Sequence, residues 1–355
     1  MKFAKAPAFR LIHASLLTLS FMAGVDASAP RTARLITSDG TTYTYDFVPA
    51  MPDHPTVLLL HGFPSTRHDW RYQIKDLTAA GYGIIAPDML GYGDSDRPTD
   101  LEAYKLKRMS GHLNELLNHE NINSVVGVGH DWGTMVLSKS LYWHPERFDK
   151  VAFLSTGYTP VGTFWDVDAA NVASWEHFGY FQYGYWYFFN SYNAADLIEE
   201  RVESAFSLFY HQKTSAWAQD FANIGAARAW LTANTTTSLP DFITENIRED
   251  WFAAFGRKGA FSASLSCYQS LMRGTQADDE KDVSNEGKKL RIPVLSVGGL
   301  RDQVARHEQL HETIRPWATG IHTIRDLDTG HWMLYEDPEG VSSLLLDFLK
   351  TDGSL

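Results

Sequence analysis

The stretch VGVGHDWGTMV (126–136) sets one aspartate, Asp131, between Gly129 and Gly133, where a hydrophobic run ends and a helical pattern begins. A strand, a sharp turn and a helix in that order push the central residue out over a sheet edge, an arrangement that more often presents a serine as G-x-S-x-G. A carboxylate held there is a nucleophile that needs no base, because aspartate ionises near pH ~4. The helix start at Trp132 favours the charged form. Taken alone, Asp131 reads equally well as a helix N-cap. LHGFPST (60–66) closes an earlier hydrophobic run. The backbone N–H groups of Phe63 and Trp132 would form an oxyanion hole for a tetrahedral centre on the carboxyl carbon of Asp131 itself; the plainer reading of the segment is a Gly-Pro turn. His61 and His130 are expected to brace loops. LDTGHWMLYEDPEG (327–340) offers His331 as a base, and SVGGLRDQV (296–304) offers Asp302 to orient it. The order nucleophile, acid, histidine is the one that accompanies such a turn. Each also has a plain reading, His331 as a structural histidine and Asp302 as a solvated turn residue. No acid directly follows the hydrophobic run at 150–156, and Asp166 and Asp168 lie further on. The chain contains no G-x-S-x-G, which disfavours a serine esterase.

These residues need a scaffold, and the chain has the length for one. It carries 355 residues, 44% hydrophobic and 21% charged, an ordinary globular composition. The formal charge is −12 with no basic run, which argues against nucleic acid or an anionic membrane surface as partner. Cys/His metal spacing is absent, so no metal is expected. The first residues resemble an export signal: Lys2, Lys5 and Arg10, then the apolar ASLLTLSFMAGV (14–25), too short to span a bilayer, then ASA (27–29) as a cleavage site. Secretion with removal of 1–29 and no membrane anchor is the expectation. Cys267 is the only cysteine, and Asn234-Thr235-Thr236 is a glycosylation pattern.

TARLITSDGTTYTYDFVPA (32–50) alternates about Asp39-Gly40 and predicts a hairpin. Hydrophobic runs at 56–62, 83–88, 124–130, 150–156 and 291–299, with core-like alternation again at 322–327, predict further strands. Helical spacing falls between them, and PEGVSSLLLDFLK (338–350) predicts a closing helix. Alternating strands and helices predict an α/β fold with a mostly parallel central sheet and helices on both faces. Residues 161–280 lack a clear buried strand. The predicted organisation is therefore a core of 30–160 and 281–355 interrupted by a helical cap, 161–280, over the carboxyl ends of the strands where ligands bind. Aromatics from Trp175 to Tyr192 are expected to wall an apolar pocket.

Together HGFP (61–64), DMLGYGDSDRP (88–98), GHDWG (129–133), GGLRD (298–302) and GHW (330–332) resemble the epoxide hydrolases of the α/β-hydrolase fold in sequence, spacing and order, across nearly all of the chain after the signal. The resemblance implies a small apolar epoxide and water as substrates, with no cofactor. It implies two cap tyrosines that donate to the epoxide oxygen: Tyr185 in YGYWYFFNSYNAADLIE (183–199), with Tyr183 as rival, and Tyr268 in GAFSASLSCYQSLMRG (259–274). Unassisted, those segments read as amphipathic aromatics that pack a cap. GHDWG is shared with haloalkane dehalogenases, which makes dehalogenation the alternative chemistry; a non-catalytic hydrolase-fold binding protein is the alternative of another class. Thr134 departs from the pattern, which commonly has a smaller residue there, and the departure is expected to matter little.

Overall fold

The computed structural model describes Met1 and residues 29–351. The export signal expected at 1–29 lies almost wholly outside the described residues. Eight strands form one sheet in the order β1-β2-β4-β3-β5-β6-β7-β8. They are β1 (Arg31–Ile36), β2 (Thr42–Val48), β3 (Thr56–Leu60), β4 (Gly83–Pro87), β5 (Val125–His130), β6 (Phe148–Leu154), β7 (Val294–Gly299) and β8 (His322–Leu327). The β1–β2 hairpin and the β2–β4 pair are antiparallel; the other pairs run parallel.

The central strands are short, apolar and buried along their whole length, as strands covered on both faces must be. Successive side chains point to opposite faces. Val57 and Leu59 join one cluster with Ile74 and Leu77 of α1 (Arg71–Ala79). Leu58 and Leu60 join the other, with Met109 and Leu113 of α2 (Leu106–His119) and Val136 and Leu137 of α3 (Trp132–Trp143). One predicted strand differs in environment. HTIRDL forms β8, but none of its residues is buried. It is the sheet's last strand, and its Arg325 and Asp326 suit an edge that must discourage further pairing.

Among the described residues no strand lies between β6 and β7. The chain there forms α4 (Val167–Phe178), α5 (Tyr185–Phe189), α6 (Ala194–Glu200), α7 (Val202–Phe209), a single π-helical turn at 218–222, α8 (Ala226–Thr232), α9 (Glu245–Phe255), α10 (Ala260–Ser264), α11 (Ser266–Met272) and α12 (Ala277–Glu280). After β7 come α13 (His307–Ile314), α14 (Met333–Glu336) and α15 (Pro338–Lys350). Among the described residues no helix is long and apolar enough to cross a membrane.

Where the chain leaves the core and where it returns, one buried ion pair ties the two passages together. Lys139 of α3 is 3.0 Å from Glu280 at the end of α12, and its ammonium also donates to the Pro160 carbonyl at 3.2 Å. Glu280 accepts in addition from the Gly162 N–H at 2.6 Å. Both side chains are below a tenth exposed. Removing one partner strands the other charge away from water, a cost of about 3–5 kcal/mol. Glu280→Ala is therefore expected to lower the unfolding free energy at neutral pH by that amount, read from denaturant melts; an unchanged midpoint would show that the pair does not hold the passages together.

Candidate active site

Asp131 occupies the turn between β5 and α3 with φ 51° and ψ −125°, a conformation that costs a non-glycine residue about 1–3 kcal/mol. Three donors hold its backbone carbonyl: the Thr134 N–H at 3.0 Å, the Thr134 hydroxyl at 2.7 Å and the Thr156 hydroxyl at 2.8 Å. Of the two bonds from Thr134, the backbone one is available to any residue there, and the hydroxyl one is what threonine adds. Gly133 lets α3 start against the Leu60 carbonyl, where any Cβ would collide. The strand–turn–helix pattern is thus realised with a strained residue at its apex.

The side chain of Asp131 makes no cap bond to its own helix. Its Oδ1 instead accepts from the Phe63 N–H at 2.7 Å, and the backbone of Trp132 lies close enough to help stabilise the charged carboxylate. Gly62 leaves the room this approach requires, since a Cβ there would overlap Oδ1. Phe63 and Trp132 are therefore brought to one carboxylate from two different loops.

His331 faces the other oxygen. Its Nε2 lies 3.6 Å from Asp131 Oδ2, and its Nδ1 is 2.8 Å from Oδ2 of Asp302. Asp302 is fully buried, and its Oδ1 accepts from the Val304 and Ala305 N–H groups at 2.8 and 2.9 Å. The His331 loop is fixed at Gly330, whose N–H donates to Glu336 at 2.7 Å. His130 and His61 have other partners. His130 Nε2 lies 2.9 Å from the His331 carbonyl oxygen. His61 Nε2 accepts from the Met89 N–H at 2.9 Å, which leaves Nδ1 to donate to the Gly62 carbonyl. Asp166 caps α4, and Asp168 accepts from Tyr187, while the carboxylate bonded to His331 is that of Asp302.

Burial and charge act in opposite directions here. Burial raises the Asp131 carboxyl above its ordinary value, and the His331 charge with the two N–H donors pulls only part of that back. Burial would likewise raise Asp302, but the His331 charge and the hydrogen bonds outweigh it and hold the carboxyl below the usual range. For His331, burial lowers the imidazole, but Asp302 and then Asp131 more than compensate and leave it raised. Burial and the neighbouring His331 push His130 down to about 3, so it stays neutral.

Tyr185, the first residue of α5, and Tyr268, within α11, bring their rings to 6.1 Å of each other on opposite sides of the cap's inner surface. Tyr268 packs edge-on against Phe63 and Trp132, with ring centroids 5.3 and 4.7 Å apart; Tyr185 stacks on Phe221 at 4.4 Å. Both phenols are driven well above their ordinary value, first by burial and further by the negative charge of Asp131, so both remain protonated donors. Tyr183 differs: its hydroxyl lies 3.4 Å from Gln309, and the charge it feels is that of Asp302.

Asp131 and Tyr185 stand at the junction of two cavities. The larger, about 130 Å³, extends past Met135, Trp165, Tyr183, Trp186 and Leu310. The smaller, about 20 Å³, lies among Phe63, Phe209, Trp217, Tyr268, His331 and Trp332. The expected aromatic wall is therefore only partly made by the 175–192 run. Trp175 and Tyr192 are exposed, because they fall on the outer faces of their segments, while Trp165, Trp217 and Phe209 come from outside it. Ser155 also escaped the sequence. It has φ 69°, and its hydroxyl lies 3.2 Å from Asp302 Oδ2 and 3.1 Å from His331 Nδ1. Its position directly after the strand beside β5 was the one available signal.

Residues 55–338 match the family described as alpha/beta hydrolase fold. The bifunctional epoxide hydrolase 2 of Sus scrofa is 28% identical over 308 residues, 85% of this chain and 52% of that protein; the chain thus spans about half the length of that relative. The epoxide hydrolase A of Mycobacterium tuberculosis is 29% identical over 307 residues, 84% of this chain and 91% of that protein. Among solved structures, that of epoxide hydrolase A from Mycobacterium thermoresistibile superposes with a TM-score of 0.76 at 26% identity, covering 91% of this chain and 98% of that one.

Proposed function

We propose that this chain, which belongs to the alpha/beta hydrolase fold family, is an epoxide hydrolase that opens an epoxide to a vicinal diol. The observation that carries the reading is one largely enclosed carboxylate, Asp131, sharing a cavity with two buried, protonated phenols, Tyr185 and Tyr268. An epoxide needs both at once: a nucleophile for a ring carbon and an acid for the alkoxide that leaves it.

Tyr185 and Tyr268 hold the ring oxygen. Asp131 attacks a ring carbon from the opposite side through Oδ2, the oxygen that the backbone donors leave open. The C–O bond of the ring breaks, a tyrosine gives its proton to the released oxygen, and an alkyl ester of Asp131 remains. His331, oriented by Asp302, takes a proton from a water, which adds to the carboxyl carbon. His331 Nε2, 3.6 Å from Oδ2, lies within reach of a water set against the neighbouring carboxyl carbon of the ester. Oδ1 becomes the oxyanion, with the Phe63 N–H that it already accepts from, and the nearby Trp132 N–H, as its donors. Collapse breaks the bond between the carboxyl carbon and the alkyl oxygen, and His331 returns its proton to that oxygen, so the diol leaves; the second proton of the added water passes from the carboxyl group to the tyrosinate, which restores both Asp131 and the phenol. Haloalkane dehalogenation would use the same nucleophile but has no task for two phenols.

Asp131→Asn is expected to cost about 10⁶-fold in turnover, as for removal of other covalent nucleophiles. His331→Gln should still be alkylated but not regenerate, so the intact protein gains one substrate mass. Tyr185→Phe with Tyr268→Phe should slow ring opening by about 10²–10⁴-fold; unchanged opening would remove the tyrosines from the mechanism.

The two chemical steps differ in their response to pH. Ester hydrolysis needs neutral His331, whose pKa is raised in the free enzyme by Asp302 and Asp131 against burial. Once Asp131 is an ester its charge is gone, and Asp302, with a smaller contribution from Glu336, opposes burial. Hydrolysis is expected to slow as pH falls toward and below about 6.5, the ordinary imidazole value, while alkylation, which needs only ionised Asp131, continues. Acid-quenched samples analysed by mass spectrometry should then show the ester accumulating; a constant ester fraction would exclude His331 as the base.

Export is part of the same reading. The basic start, the apolar stretch at 14–25 and the small residues at 27–29 support cleavage after Ala29. Sequencing of the protein from outside the producing cell is expected to begin at Pro30; an intact Met1 would overturn it.

A further inference from the structure

The two cavities that meet at Asp131 are unequal, and the difference has a chemical meaning if the protein is an epoxide hydrolase, the reading on which this rests. On a scale where about 10–15 Å³ accommodates one water, the arm beside His331, at about 20 Å³, has room for little more than a single water. The opposite arm, at about 130 Å³, has room for a substituent and is walled by Met135, Trp165, Trp186 and Leu310. His331 lines only the small arm, so the water it activates and any second substituent would compete for the same space.

What closes the small arm is specific. Phe209, Trp217 and Trp332 line it and also line a third cavity of about 220 Å³ on the far side. Two indoles form most of this partition, and both are pinned. Trp217 Nε1 donates to the Leu208 carbonyl and Trp332 Nε1 to the Phe209 carbonyl, each at 2.7 Å. Trp217 immediately precedes the π-helical turn 218–222 and lies 5.5 Å from the His331 ring. Both indoles are buried. A wall held by backbone hydrogen bonds on one side and by the catalytic loop on the other has little freedom to swing aside.

We infer that the substrates are terminal epoxides, with an apolar substituent on one ring carbon and an unsubstituted CH₂ as the other, and that Trp217 sets this limit. A trans-disubstituted epoxide directs its two substituents away from each other. It needs both arms, and the small one is already occupied by the hydrolytic water. A terminal epoxide needs only the larger.

The test compares kcat/KM of the full chain for styrene oxide and 1,2-epoxyoctane with that for trans-stilbene oxide and trans-4,5-epoxyoctane. The terminal compounds are expected to be favoured by about 100-fold or more, the scale on which a pocket rejects groups it cannot seat. Trp217→Ala opens the small arm into the third cavity and should shift the ratio toward the trans compounds by about tenfold or more. Trp217→Leu, which retains an apolar filler, gives the same readout if the alanine variant does not fold. Equal rates on both classes for the unaltered protein, or an unchanged ratio in a folded variant, overturn the inference and leave the epoxide hydrolase reading intact. Diol formation from no epoxide of either class removes that reading, and this one with it.

Discussion

A carboxylate that must be buried and still charged is the constraint around which this molecule is arranged. Asp131 gains reactivity by leaving water, but burial alone favours its neutral form. The fold opposes that with the Phe63 N–H on one oxygen, the His331 imidazole facing the other and the Trp132 backbone nearby. Each of these requires something further. The Phe63 N–H reaches Oδ1 only because Gly62 has no side chain, and the carboxylate is aimed only because residue 131 accepts a positive φ. The strain is held by three bonds to the Asp131 carbonyl, two of them from Thr134.

The cap answers the same constraint from above. Its aromatic rings exclude water from Asp131, which strengthens every charge interaction beneath them. The same burial raises the tyrosine pKa values, so that Tyr185 and Tyr268 keep their protons next to a negative charge. One physical cause, removal of water, therefore raises the carboxyl of Asp131 and keeps both phenols protonated. The Lys139–Glu280 pair sits at the two passages between cap and core, where displacement of one layer over the other would separate these groups.

Much of the scaffold was legible along the chain. Hydrophobic runs ending in glycine marked the central strands because strands buried on both faces have no alternation to preserve. HTIRDL read as core-like, yet β8 is an exposed edge; local alternation does not report which strand will be last in the sheet. The chemistry-bearing residues were legible for a related reason. Asp131, Asp302 and His331 each follow a strand, and parallel strands deliver their ends to one edge of the sheet.

What the sequence by itself determined was therefore the periodic part: the α/β sheet, the strand-end residues, and the Gly-x-Asp-x-Gly turn with its flanking glycines. Tertiary structure alone decided which groups share the space above that turn. Ser155 meets Asp302 and His331 across 147 and 176 positions of chain. Trp217 and Trp332 close one arm of the site from segments far apart in sequence. Tyr185 and not Tyr183 feels the charge of Asp131, though only two residues separate them. Strand ends are placed by a repeating hydrogen-bond lattice that local pattern encodes. The cap's helices are short and irregular, and their inner faces are set by packing against a surface that no local pattern describes.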